Sequence, residues 1–341
     1  NDVQTNFSQG SMTTTGNTFD LAIDGNGFYQ VRNPAGSVFY TRAGQFKVDS
    51  SGQVVDASGA LLQGYQADTV GNITSTIGGI TLTTSAVAPL ATTSAEILGN
   101  LNANATAPTA AFSVTDTTSY NFSTGMTFYD SLGNSHQMQL YFRKTAANAW
   151  SVYSQIDGGA AAAQTNMTFN ASGAVTAGGT QTLTATLTNG ATTPQTITVD
   201  VSSLTQFGAA SGVESQTQDG YSSGTLDRIS VDKEGRVMAQ FTNGQTRALA
   251  QVVLSRFTNP DGLANVGDNH FLETLESGAA LAGAPTLNGL GRVLSGTVEQ
   301  SNVDLGKEFV DMIITQRAFQ ANSRAITTSD EMLQELVNLK R

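Results

Sequence analysis

His136 and His270 are the only histidines in a chain of 341 residues that has no cysteine. Any zinc site or imidazole catalysis would have to be built around them. Neither has a second histidine nearby, and no Gly-x-Ser-x-Gly elbow lies beside either one, so zinc ligation and serine hydrolysis have no framework there. Both are read as surface or loop residues without partners. Glu273 and Glu276 form a carboxylate pair only on paper, because acid–base work needs both groups to face one cleft. Asp24-Gly25-Asn26-Gly27 matches the start of a calcium loop but lacks the further alternating carboxylates and the terminal glutamate, and is read as a tight turn. No glycine-rich phosphate loop ending in Lys-Ser or Lys-Thr occurs either. The expectation is a chain with no catalytic residue, no metal and no cofactor, and so not an enzyme.

The elements around these residues are mostly strands. Charged residues make up 13% of the chain, glycine is abundant at 35 residues, and the net charge is −11. Lysine and arginine are scattered, so no surface for phosphates forms and nucleic acid is not an expected partner. No apolar run approaches the roughly 18–20 residues that cross a bilayer, and no basic-then-apolar leader opens the sequence, so membrane insertion is not expected.

From Phe19 to Gln66 short apolar runs alternate with turn signals, which predicts hairpins. Residues 84–119 have the Thr-, Ser-, Ala- and Asn-rich composition of a connector. A second block follows with period-two strands at Met126–Tyr129, at Met138, Leu140 and Phe142, and at Trp150 and Val152. The pattern resumes at Leu183, Ala185 and Leu187 and again at Ile197, Val199 and Val201. A small sandwich or barrel fits this block, with Trp150 in its core. After a glycine-rich stretch at 208–224, strands return at 226–231, 237–241 and 248–254.

The fold class expected is mainly β, with two β-rich domains and a long C-terminal helix of coiled-coil type. The expected division is a linker region at 1–18, an inner discontinuous domain at 8–100 and 219–296, an outer domain inserted at 101–218, and a helix at 301–341.

That helix is the least ordinary segment. Between Ser301 and Arg341 there is one glycine and no proline, and Leu305, Met312, Phe319, Ile326 and Leu333 recur at every seventh position. A heptad repeat held this long lays a continuous apolar seam along an α-helix of about 37 residues, roughly 55 Å long. Ser301-Asn302-Val303-Asp304 has the spacing of a capping box. The row Phe309, Gln316, Ser323, Asp330, Val337 is apolar only at its ends, which predicts a narrow, wet interface rather than a dry zipper. The plain alternative is an amphipathic helix docked on its own domain. Read as an assembly element, the helix offers Leu305, Phe309, Met312, Ile313, Phe319, Ile326, Leu333 and Leu336 as interface residues.

Several stretches carry a family resemblance. The run from Thr15 to Tyr29 (TGNTFDLAIDGNGFY), with Tyr40-Thr41-Arg42-Ala43-Gly44-Gln45-Phe46, resembles the core signature of the bacterial flagellar rod and hook protein family. The tail from Ser301-Asn302-Val303-Asp304-Leu305 through Met312–Gln320 to Leu336-Val337-Asn338-Leu339 is similar to that family's C-terminal signature. Tyr129–His136, followed by Tyr141-Phe142 and Trp150, resembles the outer domain of its hook members, and Asn265–Phe271 their middle domain.

The resemblance implies a self-assembling subunit of a curved hook, a universal joint passing torque from rod to filament. It further implies export through the flagellar type III apparatus to the extracellular hook, self-association as a helical homopolymer, and distal rod, hook cap and hook–filament junction proteins as partners. The family's N-terminal helix, which pairs with the C-terminal one, is lacking before Asn1. Rival readings are the distal rod protein of the same family, a secreted β-rich adhesin or glycan-binding module, and a secreted glycan hydrolase.

Overall fold

A computed structural model describes residues 7–82 and 85–338, the side chains of 334–338 excepted. The chain is mainly β, with one long α-helix at Leu305–Asn338. It divides into two compact units, one comprising residues 1–83, 230–238 and 248–341 and the other 84–229 and 239–247.

The second unit is a two-sheet sandwich. One sheet runs Phe122–Tyr129, Ser135–Ala146, Ala149–Ile156, Met167–Phe169, Val175–Ala177, all antiparallel. The other runs Thr180–Ala185, Gln195–Asp200, Ser94–Asn100, Leu204–Thr205, with Gly212–Gln218 also on Ser94–Asn100. The residues predicted to point inward do so: Met126, Met138, Leu140, Phe142, Val152, Leu183, Ile197 and Val199 share one core. Trp150 lies fully inside it, and its indole Nε1 donates to Gln206 Oε1 at 2.7 Å, which satisfies the ring's one polar group.

Two expectations need correction here. Ser94–Asn100, within the stretch read as a connector, is a strand pairing with three others, and Ala95 and Ile97 enter the core. The glycine-rich stretch 208–224 likewise contains the strand Gly212–Gln218.

In the first unit Phe28–Arg32 pairs with Val38–Thr41, Leu61–Ala67 and Leu254–Arg256. The chain's two ends are zipped together beside this sheet. Leu21–Asp24 pairs with Arg292–Ser295, and Met12–Thr14, inside the segment read as a linker, pairs with Thr297–Glu299. Phe7 packs edge-on against Phe28 and Phe271 at 5.2 and 5.1 Å, fixing the N-terminal strand next to the residues that lead into the helix.

One local device recurs in both units. Loops 33–37, 49–53, 56–60, 68–72, 130–134, 170–174 and 232–236 all read Asp/Asn-x-x-Gly-x. In each, the Asp or Asn side-chain oxygen accepts the amide of the fifth residue at 2.8–2.9 Å. The first residue's amide donates to the fifth residue's carbonyl, and the glycine amide closes on the first carbonyl. The glycine takes a positive φ, between 72° and 99°, where any side chain is strained.

Trp150→Ala removes the largest buried side chain of the sandwich. It is expected to destabilise that unit by about 3–5 kcal/mol, read from far-UV circular dichroism in denaturant, and to leave the first unit's transition in place.

Candidate functional site

The helix begins one turn later than a Ser301 box would start it. Asp304 is the cap: its Oδ1 accepts the amides of Gly306 at 2.9 Å and Lys307 at 3.3 Å, and Leu305 is the first helical residue. A carboxylate there also suits the positive end of the helix dipole. Over its 34 residues the helix is about 51 Å long.

The five seam residues stand open to solvent, from 47% exposed at Met312 to 73% at Phe319, with Leu305, Ile326 and Leu333 between. Phe309 and Ile313 are exposed beside them, as are Val310 and Ile314 on another face. The side chain of Leu336 lies outside the described residues. So many large apolar side chains on one helix form an exposed apolar surface of the kind that candidate interaction sites present.

What the fold does supply is a rigid foot for this helix, built around Arg42. The Arg42 guanidinium donates to the carbonyls of Gly25 at 2.9 Å, Gly27 at 3.2 Å and Ile23 at 3.4 Å, and its Nε meets Glu299 Oε2 at 2.9 Å. The carbonyls of Gly25 and Gly27, in the loop that matches the start of a calcium site, thus accept from this guanidinium. Glu299 Oε1 in turn accepts the amide of Gly10 at 2.8 Å. Both charged side chains are largely buried, 16% and 10% exposed.

The neighbours in the Tyr40–Phe46 signature serve the same node. A β-carbon on Gly44 would sit 1.5 Å from the carbonyl oxygen of Leu21, so only glycine lets that strand approach. Phe46 is buried and packs edge-on against Tyr29 at 5.3 Å. The nearest concave feature is a cleft of about 300 Å³ lined by Phe7, Arg42, Phe271, Glu299 and Asn302 among others.

The expectation of unpartnered histidines is wrong for both. His270 is buried, its Nε2 lies 2.7 Å from Asp56 Oδ2, and its ring stacks on Phe39. His136 is flanked on both nitrogens, by Asp157 at 2.6 Å and Asp130 at 3.2 Å. Burial works against the imidazolium, yet the two carboxylates outweigh it and hold the ring above its ordinary pKa. Burial likewise opposes the Asp130 carboxylate, but hydrogen bonds from Asn134, Asn189 and His136 hold it well below the usual carboxylate range. The cluster ties a hairpin turn, a strand end and the loop at Asn189, which is structural work.

Gly220-Tyr221-Ser222-Ser223-Gly224 does spell Gly-x-Ser-x-Gly, away from either histidine in sequence. Tyr221 and Gly224 are bridged to Leu90 and Val87 in extended backbone, so the sharp strand-to-helix turn that would present a serine is missing. Glu273 accepts the amide of Ala280, and burial, helped by the Glu273 carboxylate, pushes the Tyr40 hydroxyl up to about 12. Among the described residues no group of three His, Asp or Glu is placed to hold a metal ion, and no helix is long and apolar enough to cross a membrane.

Arg42→Ala strands a buried carboxylate and frees three carbonyls. It is expected to cost the first unit about 3–5 kcal/mol and to speed amide exchange at 297–299, read by hydrogen–deuterium exchange. For the His136 cluster the sign follows from a raised folded-state pKa: its stabilisation is complete below the ordinary imidazole value and is lost as pH rises through the folded one. His136→Gln is therefore expected to lower the sandwich's stability by about 1–3 kcal/mol at pH near 6, the difference from the parent shrinking toward pH near 9 in parallel thermal melts.

Three family models match the chain in sequence order. They are the flagellar hook protein FlgE/F/G D1 domain over residues 22–106, the flagellar basal body protein FlaE D2 domain over 100–221, and the flagellar basal body rod FlgEFG protein C-terminal region over 294–339. The flagellar hook protein FlgE of Salmonella typhimurium is 38% identical over 343 residues, covering 98% of this chain and 85% of its own. That of Escherichia coli is 37% identical over 342 residues, with the same two coverages of 98% and 85%. The crystal structure of Helicobacter pylori flagellar hook protein FlgE2 shares the fold at a TM-score of 0.67, with 14% sequence identity, over 84% of this chain and 100% of that one. These matches do not favour the rod, adhesin or hydrolase readings. Relatives over nearly the whole length and a common fold place the chain in the flagellar hook protein family as a structural subunit of the bacterial flagellar hook.

Proposed function

We propose that the chain polymerises through its C-terminal helix into the curved tube of the hook and serves there as a universal joint. The observation that carries this reading is the solvent-exposed seam, Leu305, Met312, Phe319, Ile326 and Leu333. A monomer leaves those side chains wet, whereas packing against helices of the same and neighbouring subunits removes them from water at about 1.5–3 kcal/mol each. Phe309, Ile313 and Leu336 belong to the same interface. The remaining β units act as the body of the subunit, with 8–100 and 219–296 as the inner domain and 101–218 as the outer one. That the strand Ser94–Asn100 packs in the sandwich supports starting the outer domain nearer residue 84.

The subunit performs no catalysis, and its function is mechanical. It leaves the cell through the flagellar type III apparatus, resides in the extracellular hook, and meets the distal rod, hook cap and hook–filament junction proteins at the two ends and during growth. Relative tilting of compact units is the property a bending joint requires, because each row of subunits must shorten and lengthen as the tube rotates.

Phe319→Asp in the full-length protein is the test. A carboxylate buried without a partner costs several kcal/mol in every assembled subunit and nothing in a monomer that keeps the position wet. The expected outcome is no tubes by electron microscopy and no motility, with the melting of the β units unchanged. Normal hooks, or collapse of the β units in the monomer, would remove the helix from assembly.

A further inference from the structure

The polar sides of the helix carry a pattern that the seam does not use. Asp304 and Asp311 are seven residues apart, and so are Arg317 and Arg324. At 100° per residue each pair lines up within about 20°, and the acidic and basic rows lie about 140° apart around the axis. No seam residue falls in either row. All four residues are exposed, and no ion pair among the described residues involves them. Asp304 uses only Oδ1 in capping the helix.

Because both rows have the same spacing, one displacement matches both: residue 304 meets 317 when 311 meets 324. That displacement is 13 residues, or about 20 Å along the axis. A helix bearing both halves of a complementary pattern on different sides fits a parallel copy of itself in a head-to-tail lateral contact, the kind that repeats around a ring or helix of subunits. We infer that neighbouring copies pack their helices side by side, parallel and offset by about 20 Å, with Asp304 and Asp311 of one copy paired to Arg317 and Arg324 of the next. This rests on the reading of the helix as an assembly element, and it adds a partner surface, a direction and a register to it. The contact is electrostatic, so its role is to set which displacement the apolar seam locks in.

The test is charge reversal in the full-length protein, read as the concentration needed for polymerisation by sedimentation and as hook length by electron microscopy. Asp311→Lys and Arg324→Glu are each expected to raise that concentration about fivefold at low salt, an effect that fades as added salt screens it. The double variant Asp311→Lys/Arg324→Glu is expected to polymerise within about twofold of the parent, the ion pair being restored in reverse. Asp311→Lys/Arg317→Glu, which pairs residues at the wrong displacement, is expected to stay impaired.

Unaffected single variants, a double variant that is not rescued, or equal rescue by the mismatched pair would each overturn the inference. They would leave the seam's role standing, since that is tested separately by Phe319→Asp. Unchanged melting of the β units in every variant keeps the readout on assembly.

Discussion

The buried pair of Arg42 and Glu299 is the constraint on which the rest of the first unit hangs. A guanidinium taken out of water must find acceptors for its donors, and here the acceptors are the carbonyls of Ile23, Gly25 and Gly27 and one carboxylate. Those carbonyls belong to the strand Leu21–Asp24 and the tight loop that follows it, and the carboxylate belongs to the strand Thr297–Glu299 that precedes the helix. Satisfying one side chain therefore fixes where residue 299 sits relative to residue 25. Through the amide of Gly10 it also fixes where the N-terminal strand enters. An exposed helix of 34 residues has no packing of its own to set its direction, so the geometry at its foot does so.

Elsewhere many of the polar groups are engaged within the fold. Threonine, asparagine and aspartate are frequent, but many of their oxygens accept nearby backbone amides in turns or join pairs such as His270–Asp56 and His136–Asp157. A base already held between two carboxylates has no lone pair to offer a substrate. Large apolar side chains left in water occur singly on the β units and follow one another at close spacing on the helix, from Leu305 to Leu333.

Much of this was legible in the sequence, for physical reasons. Period-two alternation at Met138, Leu140 and Phe142 is a direct consequence of pleating, and heptad spacing at Leu305 through Leu333 of helical geometry, so both survive into the fold. What stayed hidden depended on distant partners. Ser94–Asn100 alternates, but with Ala95 and Gly99 among its inward residues, and such small side chains give a weak apolar signal. Its identity comes from three neighbouring strands remote in sequence. Glu299 carries no local mark, because its partner Arg42 lies 257 residues away. The histidines were misjudged for the same reason, as Asp157 reaches His136 across 21 residues and Asp56 reaches His270 across 214. Asp304 was visible as part of a capping box, but which of its ends would cap depended on where the preceding strand let go.

The Asp/Asn-x-x-Gly-x loops, by contrast, depend only on local residues. Each closes entirely within five residues, with its acceptor, donor and left-handed glycine all supplied locally. Loop-closure entropy is then nearly at its minimum, and contacts this short in sequence form early and fast. Hairpins can consequently nucleate at many points along the chain as soon as a few residues on either side are free, before the long-range pairings of residues 12–14 with 297–299 are available. With no cysteine there is no oxidation step to wait for. A chain punctuated in this way can begin to fold from whichever end is released first.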